Sequence, residues 1–221
     1  MRVAGGFECR ELVVSFFVQS DNVYRLVLAS ASPARRALLT GAGIDAEVVV
    51  SGVDESVVEA EDAHTLSLAL ARMKARTVAA ELPADPGALV LGCDSVLAFE
   101  GEIFGKPADA QEATQRWKAM RGKSGVLHTG HHLTGLVSGR QAEAVGTTVV
   151  HFADVTDAEI AAYVASGEPL QVAGGFTLDG RGGAFVERIE GDSGNVIGLS
   201  LPLLRTLLAQ MDVPITALWR H

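Results

Sequence analysis

The sequence has few cysteines, no long apolar run and no excess of positive charge. Its 221 residues include two cysteines, Cys9 and Cys93, too few for a disulfide framework and compatible with a reducing cytoplasm. No apolar run reaches the ~18 residues that a membrane-spanning helix needs. Glu8, Glu11 and Asp21 interrupt the segment where a signal peptide would be apolar. These absences exclude a small disulfide-stabilised protein and predict a cytoplasmic protein with no membrane partner.

Positive charge is scarce as well. Eighteen Lys and Arg stand against 27 Asp and Glu, which gives a net charge of −9 at pH 7. Such a chain lacks the broad basic surface that nucleic acid requires, so no nucleic-acid partner is expected and any anionic ligand must meet a local cluster of cations. Hydrophobic residues make up 48% of the chain and charged residues 20%, which is typical of a folded globular protein.

Strand and helix patterns alternate along the chain. Short apolar runs predict strands at 23–29, 47–50, 88–104, 133–137, 144–152 and 184–189, with a hairpin where Glu100-Gly101 divides the third run. Capping residues and helical spacing predict helices at 33–41, 64–82, 110–120, 157–167 and 202–211. The alternation predicts an α/β fold with a mixed sheet. We expect one domain over residues 23–221, preceded by an extension at residues 1–22.

The first candidate site lies where the first predicted strand leads into a helix. Residues 30–36 read Ser-Ala-Ser-Pro-Ala-Arg-Arg. Arginine at a helix start opposes the helix dipole, at about 0.3–1 kcal/mol per charge unless an anion also binds there. The hydroxyls of Ser30 and Ser32, the guanidinium groups of Arg35 and Arg36 and the first-turn N–H groups would together form a phosphate cradle. The alternative is an ordinary Ser-Pro cap with solvated arginines, and the segment alone supports both.

Asp94 and two lysines are further candidates. Asp94 interrupts the apolar run 89–99, and a carboxylate in such a run is usually paired, bound to a metal or used as a base. The alternative is an Asp at a strand end. Lys74 borders the apolar stripe of its helix, and Lys106 lies in a Gly-Lys-Pro turn. Each lysine is either a functional cation or an ordinary surface residue.

Two other groups have weaker patterns. Asp54 and Glu55 follow a strand and a glycine, so they are either metal ligands or part of a turn. His128, His131 and His132 have no carboxylate partner at ligand spacing, which favours an exposed turn over a metal site.

Seven motifs occur in the order found in the Maf-like nucleoside triphosphate pyrophosphatases, and the sequence resembles that family from about Tyr24 to Leu208. The motifs lie at 30–36, 53–55, 71–75, 92–95, 105–107, 163–170 and 198–202. The resemblance implies a mixed, elongated central sheet flanked by helices, a deep cleft between two lobes and often a homodimer. It also implies hydrolysis of a nucleoside triphosphate substrate to the monophosphate and pyrophosphate with Mg²⁺ or Mn²⁺.

The resemblance also assigns site residues. Asp94 matches the catalytic proton acceptor, and Glu55 falls at an acidic position that would bind the cation together with Asp94. Lys106 matches a second catalytic position that also contacts phosphate. The other phosphate-binding positions are matched by Ser30, Arg35 and Lys74, to which the local pattern adds Ser32 and Arg36.

Three positions of the family select the nucleobase, and here they are Ala34, Ser95 and Asp179. Family members that prefer dTTP and UTP carry Arg, Thr and Gln there, whereas those that prefer 7-methyl-GTP carry Trp, Gln and Glu. The small residues of this chain predict a wide base pocket and a broad substrate range that includes modified nucleotides. The alternative function is a non-catalytic nucleotide-binding regulator of cell division, which has no need for Asp94 and Lys106.

Overall fold

A computed structural model describes residues 24–220, and the expected extension at residues 1–22 lies outside them. Seven strands form one mixed sheet in that part of the chain: β1 (Arg25–Leu28), β2 (Ala46–Val48), β3 (Ala88–Phe99), β4 (Glu102–Phe104), β5 (Ser124–Gly135), β6 (Gln141–Phe152) and β7 (Val186–Glu190). Their order is β2-β1-β3-β5-β6-β7, and β4 also pairs with β3. β1 is parallel to β2 and β3, and the other pairs are antiparallel. The predicted α/β class with a mixed sheet is confirmed.

Helices flank the sheet: α1 (Pro33–Gly41), α2 (Ala63–Glu81), α3 (Ala110–Met120), α4 (Asp157–Ala165), α5 (Ser193–Ile197) and α6 (Leu201–Gln210). Each of the six begins after a capping side chain that accepts a first-turn N–H, supplied by Ser32, Asp62, Asp109, Thr156, Asp192 and Ser200. The capping box formed by Thr156 and Glu159 is present as predicted.

Within residues 24–220, no helix is both long enough and apolar enough to span a membrane.

Strand β3 has neighbours of unequal length on its two edges. On one edge β5 pairs with it from Leu89 to Ala98. On the other edge β1 pairs with residues 88–91 and β4 with residues 97–99. Residues 92–96 therefore have no strand partner on that side among residues 24–220, and we call this stretch the open edge of β3. The loops that follow β1 and β4 flank it.

On one face of the sheet, β3 contributes to two hydrophobic cores. Leu89, Leu91 and Cys93 belong to a core completed by α1 and α6, whereas Leu97 and Phe99 belong to a second core around Trp117. All five side chains lie on one face of the strand, because successive side chains alternate between faces. The polar Ser95, which lies within the open edge, separates the two sets.

Helix α2 contacts the opposite face of the sheet through two glycines. A Cβ atom at Gly92 would lie 2.1 Å from the carbonyl oxygen of Ala71, and one at Gly130 would lie 2.2 Å from that of Ser67. Because the sheet has no side chain at these points, the helix backbone rests directly on the strands. This close approach places Lys74 of α2 beside Asp94 of β3.

The prediction for the histidine-rich segment is wrong. β5 begins at Ser124 instead of Leu133, and it contains His128, His131 and His132. His131 and His132 are 0% exposed. The Nδ1 of His131 contacts the carbonyl of Thr129 at 2.9 Å, and its Nε2 accepts a hydrogen bond from the backbone N–H of Ser200 at 2.9 Å. Hydrogen bonding therefore allows this imidazole to lie inside the protein, as it does for most buried polar groups.

Candidate active site

Asp94 lies at the centre of the open edge and is 7% exposed. Its Oδ1 accepts a hydrogen bond from the Nζ of Lys74 at 2.5 Å. Burial raises the pKa of the Asp94 carboxyl above its ordinary value, although the charges of Lys74 and Arg35 act in the opposite direction. A carboxylate with a raised pKa is suited to take a proton from a water molecule near neutral pH.

A second carboxylate shares Lys74. The Oε1 of Glu55 lies 2.7 Å from the Nζ that also contacts Asp94. The neighbouring Asp54 caps a short 3₁₀ turn at Glu55–Val57, and its Oδ1 accepts hydrogen bonds from the N–H and the hydroxyl of Ser56. Asp54 is therefore part of a turn, whereas Glu55 contacts Lys74 and stays a candidate metal ligand.

Glu55 and Asp94 fit the ligand type of a hard divalent cation. Mg²⁺ is commonly held by one or two carboxylates together with substrate phosphates and water. Within residues 24–220 no group of three or more His, Cys, Asp or Glu side chains has metal-binding geometry. A cation at Glu55 and Asp94 would therefore take its remaining ligands from substrate and water.

Arg35 is buried and strongly bonded, with 8% exposure. It donates to the carbonyls of Gly198 at 2.7 Å and Cys93 at 2.8 Å, and to the hydroxyls of Ser30 and Ser95 at 3.1 Å each. These bonds use four of the five N–H groups of a guanidinium. The carbonyl of Cys93 belongs to the open edge, so Arg35 partly replaces the missing strand there.

Of the remaining predicted phosphate ligands, some already bond within the protein and others are free to bind an anion. Ser32 is the N-cap of α1, which is the structural role that the alternative reading gave it. The side chains of Arg36 and Lys106 are exposed and make no hydrogen bond or ion pair with any described residue. These two cations are available to an anion.

The turn at residues 105–107 lies against the glycine-rich loop. The carbonyl of Gly105 accepts hydrogen bonds from the N–H of Gly174 at 3.1 Å and from Arg116 at 2.7 Å. β4 pairs Phe104 with Leu97 and runs antiparallel to β3. The chain that follows is thereby directed along the open edge, from the side opposite the Ser30 loop.

Two of the three predicted specificity residues line one cavity. Ala34 and Asp179 face a cavity of about 380 Å³, together with Ala37, Leu38, Gly41, Ala42, Ile197 and Leu201. Ser95 is not among its lining residues, and its hydroxyl contacts Arg35 and the hydroxyl of Thr129. Ala34 and Asp179 therefore share a cavity that Ser95 does not line.

Sequence reasoning missed two residues that organise this region. Thr129 is fully buried, contacts Ser95 and donates to the carbonyl of Asn195 at 2.8 Å. Glu168 accepts four hydrogen bonds, three from the loop that carries Asp179 and one from Tyr163 of α4. A buried threonine gives no signal in a sequence, whereas a lone Glu between Gly167 and Pro169 is an indication of a specific role.

The chain matches one family model and is similar to several proteins that share one name. The model of the Maf-like protein family matches residues 25–211. A nucleoside triphosphate pyrophosphatase of Salinispora tropica is 64% identical over 197 residues, covering 88% of this chain and 87% of the relative. Those of Streptomyces coelicolor and Synechococcus elongatus are 62% and 56% identical, covering 88% and 89% of this chain and 94% and 98% of each relative.

Proposed function

The chain belongs to the family of Maf-like proteins, and from this membership we propose that it is a nucleoside triphosphate pyrophosphatase. It hydrolyses a nucleoside triphosphate to the monophosphate and pyrophosphate. The observation that supports this most is the buried Asp94 at the open edge, beside Lys74 and Glu55, in a chain 64% identical to a protein of that name.

Asp94 is the proton acceptor in this proposal. Water attacks the α-phosphorus, its oxygen forms the new bond to phosphorus, and its proton passes to the carboxylate of Asp94 as the bond to pyrophosphate breaks. The contact with Lys74 orients the carboxylate. Glu55 and Asp94 would hold Mg²⁺ or Mn²⁺, and such a cation supplies charge neutralisation for the phosphates when bound.

The cations around the open edge bind the triphosphate. Lys106 and Arg36 are exposed on its two flanks and supply charge to the phosphate oxygens. Arg35 has one N–H left after its four bonds within the protein. It and Ser30 therefore act mainly by holding the loop after β1 in place, with at most a small direct contribution to phosphate binding.

The nucleobase occupies the cavity at Ala34 and Asp179. Ala34 offers no ring or guanidinium to stack on a base, and an ionised Asp179 accepts hydrogen bonds but cannot donate one. Missing contacts of this kind are worth only ~1–3 kcal/mol each. We therefore expect activities within about tenfold across several pyrimidine and modified nucleotides.

A pyrophosphate-release assay with a panel of nucleoside triphosphates tests the activity. We expect release with Mg²⁺ or Mn²⁺ and none in excess chelator. In ¹⁸O-water the label should enter the monophosphate, because the attack is at the α-phosphorus. Stoichiometric orthophosphate, or label only in pyrophosphate, would contradict the proposal. Nucleotide binding without turnover would instead favour the non-catalytic regulator of cell division. Homodimer formation and a cytoplasmic location stay predictions.

A further inference from the structure

The glycine-rich loop at residues 173–183 connects the two ends of the proposed substrate site. Near its start, the N–H of Gly174 donates to Gly105, beside Lys106, and the carbonyl of Gly175 accepts from the indole of Trp117 at 2.8 Å. Further along, Asp179 reaches the cavity that it shares with Ala34. The position of this loop therefore affects the base end of the site.

One carboxylate holds the second half of the loop. The Oε1 of Glu168 accepts hydrogen bonds from the hydroxyl of Tyr163 at 3.1 Å, the hydroxyl of Thr177 at 2.5 Å and the N–H of Gly182 at 3.0 Å. Its Oε2 accepts one from the N–H of Arg181 at 3.1 Å. Burial opposes the charge, yet these four bonds hold the pKa of Glu168 below its ordinary value.

The bonded residues lie on both sides of Asp179. Thr177 precedes it by two residues and Arg181 follows it by two. The side chain of Asp179 is exposed and has no hydrogen-bond or ion-pair partner among the described residues. Its place is therefore set by the backbone that Glu168 holds.

The glycines of the loop allow it to wrap closely around Glu168. A Cβ atom at Gly180 would lie 2.8 Å from the Oε1 of Glu168, and one at Gly182 would lie 2.5 Å from the hydroxyl of Tyr163. Side chains at these positions would push the backbone away from the carboxylate. The composition of the loop and the position of Glu168 thus support the same local structure.

We propose that Glu168 is a positioning residue that fixes the loop carrying Asp179 and thereby sets how tightly the base end of the substrate is held. This inference rests on the proposed function, since it assigns the loop to the base subsite of the same active site. Glu168 acts through Asp179 and takes no part in the chemistry at the α-phosphorus.

The variant E168Q tests this role with two kinds of substrate. Glutamine retains one acceptor oxygen, but its NH₂ group would face the N–H of Arg181, so that one bond and the charge are lost. We expect kcat/KM for nucleoside triphosphates to fall about tenfold, mainly through KM, the usual effect of losing one hydrogen bond to a charged group. Methyl triphosphate has no base, and its kcat/KM should stay within about twofold.

The matched control is Glu159→Gln. Glu159 is also a carboxylate that accepts a backbone hydrogen bond, from Thr156 at 2.7 Å, but it belongs to the cap of α4. We expect this variant to leave the kinetics with both substrates unchanged. Thr177→Val removes one donor to Glu168 with little change of shape, and serves as a second variant should E168Q fail to fold.

A double-variant cycle separates positioning from general support of the fold. If Glu168 acts through Asp179, E168Q should add little further loss in an Asp179→Ala background. Equal losses with nucleotides and methyl triphosphate, full additivity, or no effect of E168Q would each overturn the inference. A wild-type protein that releases no pyrophosphate would instead refute the proposed function. In that case, the affinities of wild type and E168Q for a nucleotide and for methyl triphosphate would be compared instead. The inference still requires a loss of affinity for the nucleotide only.

Discussion

Lys74 contacts two carboxylates, and this arrangement decides how Asp94 can act. Asp94 and Glu55 both lie within 2.7 Å of its Nζ. An ion pair in a buried site is expensive to break, because removing one partner leaves the other charge uncompensated. Here the loss of Asp94 would leave Lys74 paired with Glu55, so the site tolerates the change structurally.

Asp94→Asn should therefore retain the fold while lowering kcat by roughly 10²–10⁴, the range for removal of a general base. Pyrophosphate release gives kcat, and thermal unfolding monitors the fold. Asp109→Asn is the matched control, because Asp109 caps α3 and Asn caps as well as Asp. Wild-type turnover in the Asp94 variant would remove this residue from the mechanism.

At the scale of single residues, the sequence indicates candidate functional groups but not what those groups contact. Two arginines at the start of α1 indicated an anion, because they oppose the helix dipole. For Arg35 the structure supplies a different explanation, since oxygens of two distant segments, β3 and the loop at Gly198, surround it. Those partners are 58 to 163 residues away in the chain, so no local pattern could indicate them.

At the scale of elements, the docking of α2 depends on two glycines that no periodicity analysis would select. The helix itself was predictable from the spacing of its apolar residues. Its contact with the sheet was not, because it consists of missing side chains at Gly92 and Gly130. Gly130 and the histidines of β5 obscured the alternation that normally marks a strand, and this is why residues 128–132 were predicted as a turn.

Gly130→Ala tests this contact. The new Cβ would lie 2.2 Å from the carbonyl oxygen and 2.4 Å from the carbonyl carbon of Ser67, which are backbone atoms that cannot rotate away. We expect the free energy of unfolding to fall by about 1–3 kcal/mol, as is usual for overpacking, and the activity to fall because Lys74 moves from Asp94. Urea denaturation measures the first effect.

Gly41→Ala is the control for the stability measurement alone, because nothing lies within 4 Å of the added Cβ and α1 ends at this residue. Its stability should be unchanged or slightly higher, since Ala is favoured over Gly in helices. A Gly130 variant as stable as this control would show that α2 can shift without cost.

At the scale of the whole molecule, burial of His131 makes stability depend on pH. Burial lowers its pKa from 6.5 to about 4, and the charge of Arg35 adds to the effect. In the unfolded chain His131 binds a proton near pH 6.5, whereas in the folded protein it binds one only near pH 4. The contribution of the neutral His131 to the free energy of unfolding is therefore fully present above pH 6.5 and is lost as the pH falls toward 4.

The expected loss is about 3 kcal/mol between those two pH values, from the size of the pKa shift. Urea denaturation at several pH values would measure it. His131→Asn should reduce the slope in this window whatever its own stability, because the titrating group is gone. An unchanged slope would mean that other groups cause the pH dependence.

The open edge of β3 has a consequence for how this protein can change over evolutionary time. The proposed proton acceptor, Asp94, lies in the middle of a strand that pairs with β5 along one whole edge. The groups proposed to bind the substrate lie on the loop and helix that follow β1, on the turn after β4 and on the loop that Glu168 holds. Mutations in those segments can therefore change which nucleotide is accepted, while the pairing of β3 with β5 that positions Asp94 stays the same.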